Sequence, residues 1–108
     1  MNAIEKLRQN GIYLKYDDVV DICKKYYINE LSIFGSSIRD DFNINSDVDI
    51  LVSFYHNSNT DLFDLMNLEN EFSQLLNREV DVVEKESLKN PIRKNKILST
   101  REIIYAAQ

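Results

Sequence analysis

In 108 residues the chain has one cysteine, one proline, two glycines, one histidine and no tryptophan. A single cysteine excludes an internal disulfide framework, and alone it cannot build a zinc site. Cys23 falls instead on the apolar stripe of a helix and reads as core. With so little glycine and proline, no stretch has the composition of a linker, and no segment is of low complexity or repeated. The one histidine, His56, lies in the polar run His56-Asn57-Ser58-Asn59 and reads as a plain loop residue. No apolar run approaches the ~20 residues needed to cross a bilayer. The opening Met1-Asn2-Ala3-Ile4-Glu5-Lys6 shows no hydrophobic leader. Together with the cysteine usage, this leads us to expect a cytoplasmic protein that makes no membrane contact. An excess of positive charge is also missing: 18 acidic residues face 13 basic ones, a net charge of −5. A broad phosphate-backbone surface needs a basic face, so direct nucleic-acid binding is not expected. A nucleotide remains possible, because its few phosphates can be met locally.

What is present is ordinary for a globular chain: 44% hydrophobic and 29% charged residues. That is enough for one core, so residues 1–108 are read as a single domain. A short helix is expected over residues 1–9, with Ile4 and Leu7 on one face and Asn10-Gly11 as its stop. Residues 17–27 carry Val19, Ile22, Cys23 and Tyr26 at helical spacing. Their acidic start and basic end suit the helix dipole. The run Leu31-Ser32-Ile33-Phe34 reads as a first strand and residues 47–54 as a second. Residues 60–76 form the clearest helix, with Leu65, Leu68, Phe72, Leu75 and Leu76 as its buried stripe, a cap at Asn59 or Thr60, and Asn77 as its end. Residues 78–83 read as a third strand. Pro91 suits the first turn of another helix, on which Arg93, Lys94 and Lys96 read as a solvated face. Residues 102–105 close the chain as a short strand.

The chemistry concentrates in residues 35–49, Gly-Ser-Ser-Ile-Arg-Asp-Asp-Phe-Asn-Ile-Asn-Ser-Asp-Val-Asp. Gly35 stands where the first strand must stop abruptly, and glycine lets backbone approach a ligand. Ser36 and Ser37 add hydroxyls and backbone N–H groups there. Asp47 and Asp49 are two residues apart, so on a strand they share a face. Paired carboxylates repel unless a cation lies between them, and Mg²⁺, or Mn²⁺ in its place, is the natural occupant. Asp81 is a third acid in a strand where an apolar residue is expected. Two other phosphate and metal motifs fail. No Gly-Lys-Ser/Thr follows the turn, so it is not a Walker loop. An EF-hand begun at Asp41 has Ser46 at its sixth position and Val52 at its twelfth. Each feature alone has a plainer reading: any strand-to-helix turn, a solvated strand edge, or an edge-strand acid that discourages aggregation. Together they point to phosphoryl or nucleotidyl transfer.

Gly35-Ser36, then Asp47-Val48-Asp49, then a lone strand Asp81 resembles the nucleotidyltransferase fold of the DNA polymerase β superfamily. Over residues 15–105 the chain resembles its minimal class, often the antitoxin partner of a HEPN-domain toxin. The resemblance implies an α+β fold, a small mixed β-sheet flanked by helices. It implies ATP held by Gly35, Ser36 and Arg39, and Mg²⁺ held by Asp47, Asp49 and Asp81 as catalytic acids. It implies transfer of AMP to a tyrosine of the partner toxin, and so a hetero-oligomer with it. Many members read Ala-Arg-Gly where this chain has Ile38-Arg39-Asp40, followed by Asp41. Extra negative charge beside the phosphates argues for weakened ATP binding. Two alternatives follow: a catalytically weak antitoxin that neutralises its toxin by association, and a small-molecule nucleotidyltransferase, disfavoured by length.

Overall fold

A computed structural model describes residues 1–107. Four strands form one sheet: β1 (Ile28–Phe34), β2 (Val48–Phe54), β3 (Val80–Glu84) and β4 (Glu102–Ala106). Their spatial order is β3-β2-β1-β4. β1 runs antiparallel to β2 and to β4, while β2 and β3 are parallel. The sheet is therefore mixed, as expected. The parallel pair requires a crossover, and α3 (Leu62–Leu76) supplies it. The other helices are α1 (Ala3–Gln9), α2 (Tyr16–Lys25) and α4 (Pro91–Thr100).

Period-2 alternation sorts the strands into two faces. On one face Val48, Ile50 and Val52 of β2, Leu31 and Ile33 of β1 and Val80 of β3 meet Leu7, Val19, Ile22, Cys23, Leu68 and Phe72 of the first three helices. This is the main core, and Cys23 lies in it as read from the sequence. Burial holds its thiol at a pKa of about 12, so it is unreactive. The opposite face carries a smaller cluster of Phe34, Leu51, Leu88 and Ile97, which seats α4. That cluster covers only part of the face; the rest holds the acidic residues.

α3 starts with a capping box in which Asp61 and Asp64 exchange side-chain-to-backbone bonds. The cap is thus Asp61 and not Asn59 or Thr60. Asp61 is the residue that has a carboxylate three positions on to return the bond. Asn77 ends the helix in the left-handed region (φ 51°, ψ 49°), as its side chain favours. Leu68 and Phe72 are fully buried, and Leu65 and Leu76 pack against the core. Leu75 does not join them: at 37% exposure it lies on the flank. Glu69 accepts the Val82 N–H at 2.9 Å, which stabilises the outer edge of β3. An edge N–H satisfied in this way is unavailable to another chain.

Candidate active site

β1 ends at Phe34, and Gly35 turns the chain with φ 79° and ψ −159°. Only glycine adopts that region without strain. A second reason is contact: a Cβ on Gly35 would lie 2.3 Å from Oδ2 of Asp49. The turn thus presses its backbone directly against a carboxylate. A single turn of 3-10 helix, Ser36–Ile38, follows, closed by the Arg39 N–H donating to the Ser36 carbonyl at 3.0 Å. Ser36 is half-buried. Ser37 is buried, and its hydroxyl has no hydrogen-bond partner among the described residues.

The strand register brings the acids to this turn. Phe34 pairs with Asp49 across β1 and β2, and Asp49 pairs with Asp81 across β2 and β3. Neighbouring strands lie about 4.8 Å apart, so Asp49 sits between the glycine turn and Asp81. Asp47 lies just before β2 starts at Val48 rather than inside it, and is exposed, as Asp81 is. The pKa of Asp49 is raised to about 6, first by burial and then by the charges of Asp81 and Asp47. The positive charges of Arg93 and then Arg39 oppose them. The structure therefore brings Gly35, Ser36, Asp47, Asp49, Asp81 and Arg39 to one end of the sheet.

Among the described residues, no three His, Cys, Asp or Glu side chains form a ready-made cage for an ion. The donor set nevertheless suits a divalent cation. The charges of Asp81 and Asp47 act on Asp49, whose pKa burial and that repulsion together raise to about 6. An oxygen-seeking ion would relieve that repulsion.

Two residues join the site that sequence reading did not assign to it. Asn10, read only as a helix stop, donates its side-chain amide to the carbonyls of Ser37 at 2.8 Å and Arg39 at 3.1 Å. It ties the segment after α1 to the glycine turn. No local signal marks this role, because its partners lie 27 and 29 residues away. Arg93, read with Lys94 and Lys96 as a solvated face, reaches Asp49 with its charge. Arg39 is where the motif puts it, but its Nε donates to Asp41 at 3.0 Å. The hydrogen bond from Arg39 holds the Asp41 carboxyl below its ordinary pKa.

A cavity of 790 Å³ lies elsewhere, lined by Tyr26, Tyr27, Tyr55, Asn57, Asn59 and Asn67 among others. It is at the opposite end of the same strands. Its lining has a single carboxylate, Asp64, already committed to the α3 capping box, so charge and not concavity locates the site.

Among known families, the sequence model described as "Nucleotidyltransferase domain" matches residues 17–104. The chain is 35% identical over 85 residues to the protein adenylyltransferase MntA of Thermococcus cleftensis, covering 79% of this chain and 81% of that one. Its fold matches a solved structure described as a candidate minimal nucleotidyltransferase, with a TM-score of 0.68, 27% identity and 94% of each chain covered. It also matches, in fold alone, the structure of a tri-AMPylated Shewanella oneidensis HEPN toxin in complex with MNT antitoxin, at TM-score 0.62 and 17% identity over 86% of this chain and 71% of that one. With the family match running from α2 to β4 and Asp49 paired with Asp81 beside a glycine turn, the chain belongs to the nucleotidyltransferase family, in its minimal, MNT class.

Proposed function

We propose that this protein, as one nucleotidyltransferase domain over residues 1–108, transfers AMP from ATP to a tyrosine hydroxyl of a partner HEPN-type toxin, with Mg²⁺ or Mn²⁺ as cofactor. The observation that carries this reading is the position of Asp49, in contact with the Gly35 turn on one side and paired with Asp81 on the other. A phosphate-binding turn and an acid cluster share one edge, which is what transfer of a nucleotidyl group needs. The names of the relatives support the same chemistry: one is a protein adenylyltransferase, and one solved complex holds an AMPylated HEPN toxin.

In this reaction the acceptor oxygen bonds to the α-phosphorus, the bond from that phosphorus to the β-phosphate oxygen breaks, and pyrophosphate leaves. The Gly35 turn and the Ser36 hydroxyl bind the β- and γ-phosphates. Arg39 neutralises the leaving pyrophosphate, once released from Asp41. Asp47 and Asp49, with Asp81, hold the divalent ion, which when bound supplies the positive charge and Lewis acidity the α-phosphate requires. Asp81 is exposed at the sheet edge, open to an incoming acceptor, and takes its proton. Positioning and electrostatics supply most of the acceleration in such transfers. An AMP group on the toxin adds bulk and negative charge, enough to block a negatively charged substrate such as RNA.

The Arg39–Asp41 ion pair favours a second reading, a weakly catalytic antitoxin that acts by association. One experiment separates the two. Protein, ATP, Mg²⁺ and the co-encoded partner are mixed, and the partner is weighed by intact mass spectrometry. A gain of one or more AMP units, lost with Asp81→Asn, supports transfer. An unmodified partner, neutralised equally by wild type and by Asp47→Asn/Asp49→Asn, overturns it in favour of binding alone.

A further inference from the structure

The side of the sheet that carries the three acids is roofed at its other end by α4, and the way α4 is seated decides where its basic residues point. Ile97 is buried and packs in one cluster with Phe34 and Leu51. Both of those are neighbours of Asp49: Phe34 is its antiparallel partner, and Leu51 lies two residues along the same face of β2. Arg93 is one turn before Ile97, so it occupies the same face of α4. Helical side chains lean towards the N-terminus, so the Arg93 side chain extends past Ile97 along α4. Arg93, Lys94 and Lys96 are all exposed, and Lys94, three residues before Ile97, flanks the same face. The electrostatics agree with this placement, since Arg93 is the foremost positive charge acting on Asp49, ahead of Arg39.

Arg93 and Arg39 also differ in how they are held. Arg39 is engaged with Asp41. Arg93 makes no ion pair with a carboxylate among the described residues. An unpaired guanidinium whose charge reaches Asp49 is ready for an anion that lies against that acid. In a nucleotidyl transfer the anion at that point is the α-phosphate, since the β- and γ-phosphates run back to the Gly35 turn.

Resting on the AMP-transfer reading above, we infer that Arg93 is a nucleotide-contacting residue that holds the α-phosphate over Asp49, while Arg39 serves only the departing pyrophosphate. The two arginines then divide one substrate between them, one from α4 and one from the glycine turn. A guanidinium offers two parallel donors to phosphate oxygens, which a lysine cannot match.

AMP and ATP separate the two roles, because AMP has the α-phosphate and lacks the others. Calorimetry in Mg²⁺ compares wild type with Arg93→Gln, Arg93→Lys, Arg39→Gln and Lys96→Gln, each checked for an unchanged melting temperature. Arg93→Gln should weaken AMP and ATP alike, by about 10- to 100-fold, the worth of a charged hydrogen-bond partner. Arg93→Lys should restore part of that loss. Arg39→Gln should weaken ATP and leave AMP unchanged, and Lys96→Gln should match wild type for both. The inference is overturned if Arg93→Gln binds AMP as wild type does, whether or not ATP is affected, or if Lys96→Gln loses as much as Arg93→Gln. If wild type itself binds neither nucleotide, the AMP-transfer reading fails, and the role of Arg93 fails with it.

Discussion

The two ends of the central strands differ in a way that separates shape from chemistry. One end holds the cavity of 790 Å³, with Tyr26, Tyr27 and Tyr55 among its walls. The other has Gly35, Asp47, Asp49 and Asp81 at the sheet edge, with two acids exposed. From Asp49 to Tyr55 is six residues of strand, roughly 20 Å. Ligand sites are usually concave, yet here the concave end has little that could move a phosphoryl group. The acidic end has the glycine turn, the raised carboxyl and the unpaired arginine. For the proposed transfer to a protein acceptor, an open site is reasonable, because the acceptor surface would close it.

The contrast can be broken most decisively by mutation at both ends. Asp47→Asn/Asp49→Asn should lower AMP transfer by ~10³-fold or more, since it removes the charge on which positioning depends. Tyr55→Ala at the cavity should leave the transfer rate within about twofold in the same mass-spectrometric assay. Equal losses would show that the ends work as one site. Next in size is the scaffold they share. Phe72 is fully buried in the main core, and Phe72→Ala should cost about 3–5 kcal/mol in urea unfolding. A loss below about 1 kcal/mol would mean that the packing of α3 on the sheet is wrong.

Smaller and more local is Gly35→Ala. The new methyl meets Asp49 Oδ2 and the backbone keeps a positive φ. About 1–3 kcal/mol of stability should be lost, together with most ATP affinity, while ligands of the tyrosine-lined cavity, if found, should be unaffected. Smallest is a pH effect. The folded pKa of Asp49 is about 6, above the ~3.9 of an unfolded aspartate. Between those values the folded state keeps a proton that the unfolded state has lost. The stabilisation from that proton is complete below pH 4 and gone as pH rises through 6. With a chelator present, Asp49→Asn should therefore match wild type near pH 4 and melt higher at pH 7.5. Because Asp49 is half-exposed, solvent screening reduces the gain to about 1 kcal/mol. Identical pH profiles for the two proteins would show that the acids do not repel as described.

Most of the fold could be read from the sequence because its signals are local. The helix stripe through Leu68 and Phe72, the alternation along β2, Pro91 at the start of α4 and Asn77 at the end of α3 each act within a few residues. Leu75 misled because helical spacing defines a stripe without saying how wide the covering sheet is. The α3 cap was misplaced because several capping residues occur in succession, and only the Asp61–Asp64 exchange selects among them. Gly35, Asp47, Asp49 and Asp81 were legible as a set through their spacing and strand parity. Asn10 and Arg93 were not. What Asn10 bonds to, and what α4 covers, depend on packing between segments far apart in the chain, which no periodicity encodes.

The parallel pairing of β2 with β3 has a consequence for how the site comes into being. β1 and β2 are linked by a modest loop and can meet early. Asp81 reaches Asp49 only after α3 has been wound and laid back across the sheet, a closure that is slower because it joins more distant residues. That last step also brings together charges that repel. The acidic cluster is thus completed together with the packing of α3 and Val80 into the main core, whose burial offsets the repulsion. A chain in which β3 is not yet paired lacks Asp81 beside Asp49, so the site is completed only with the sheet.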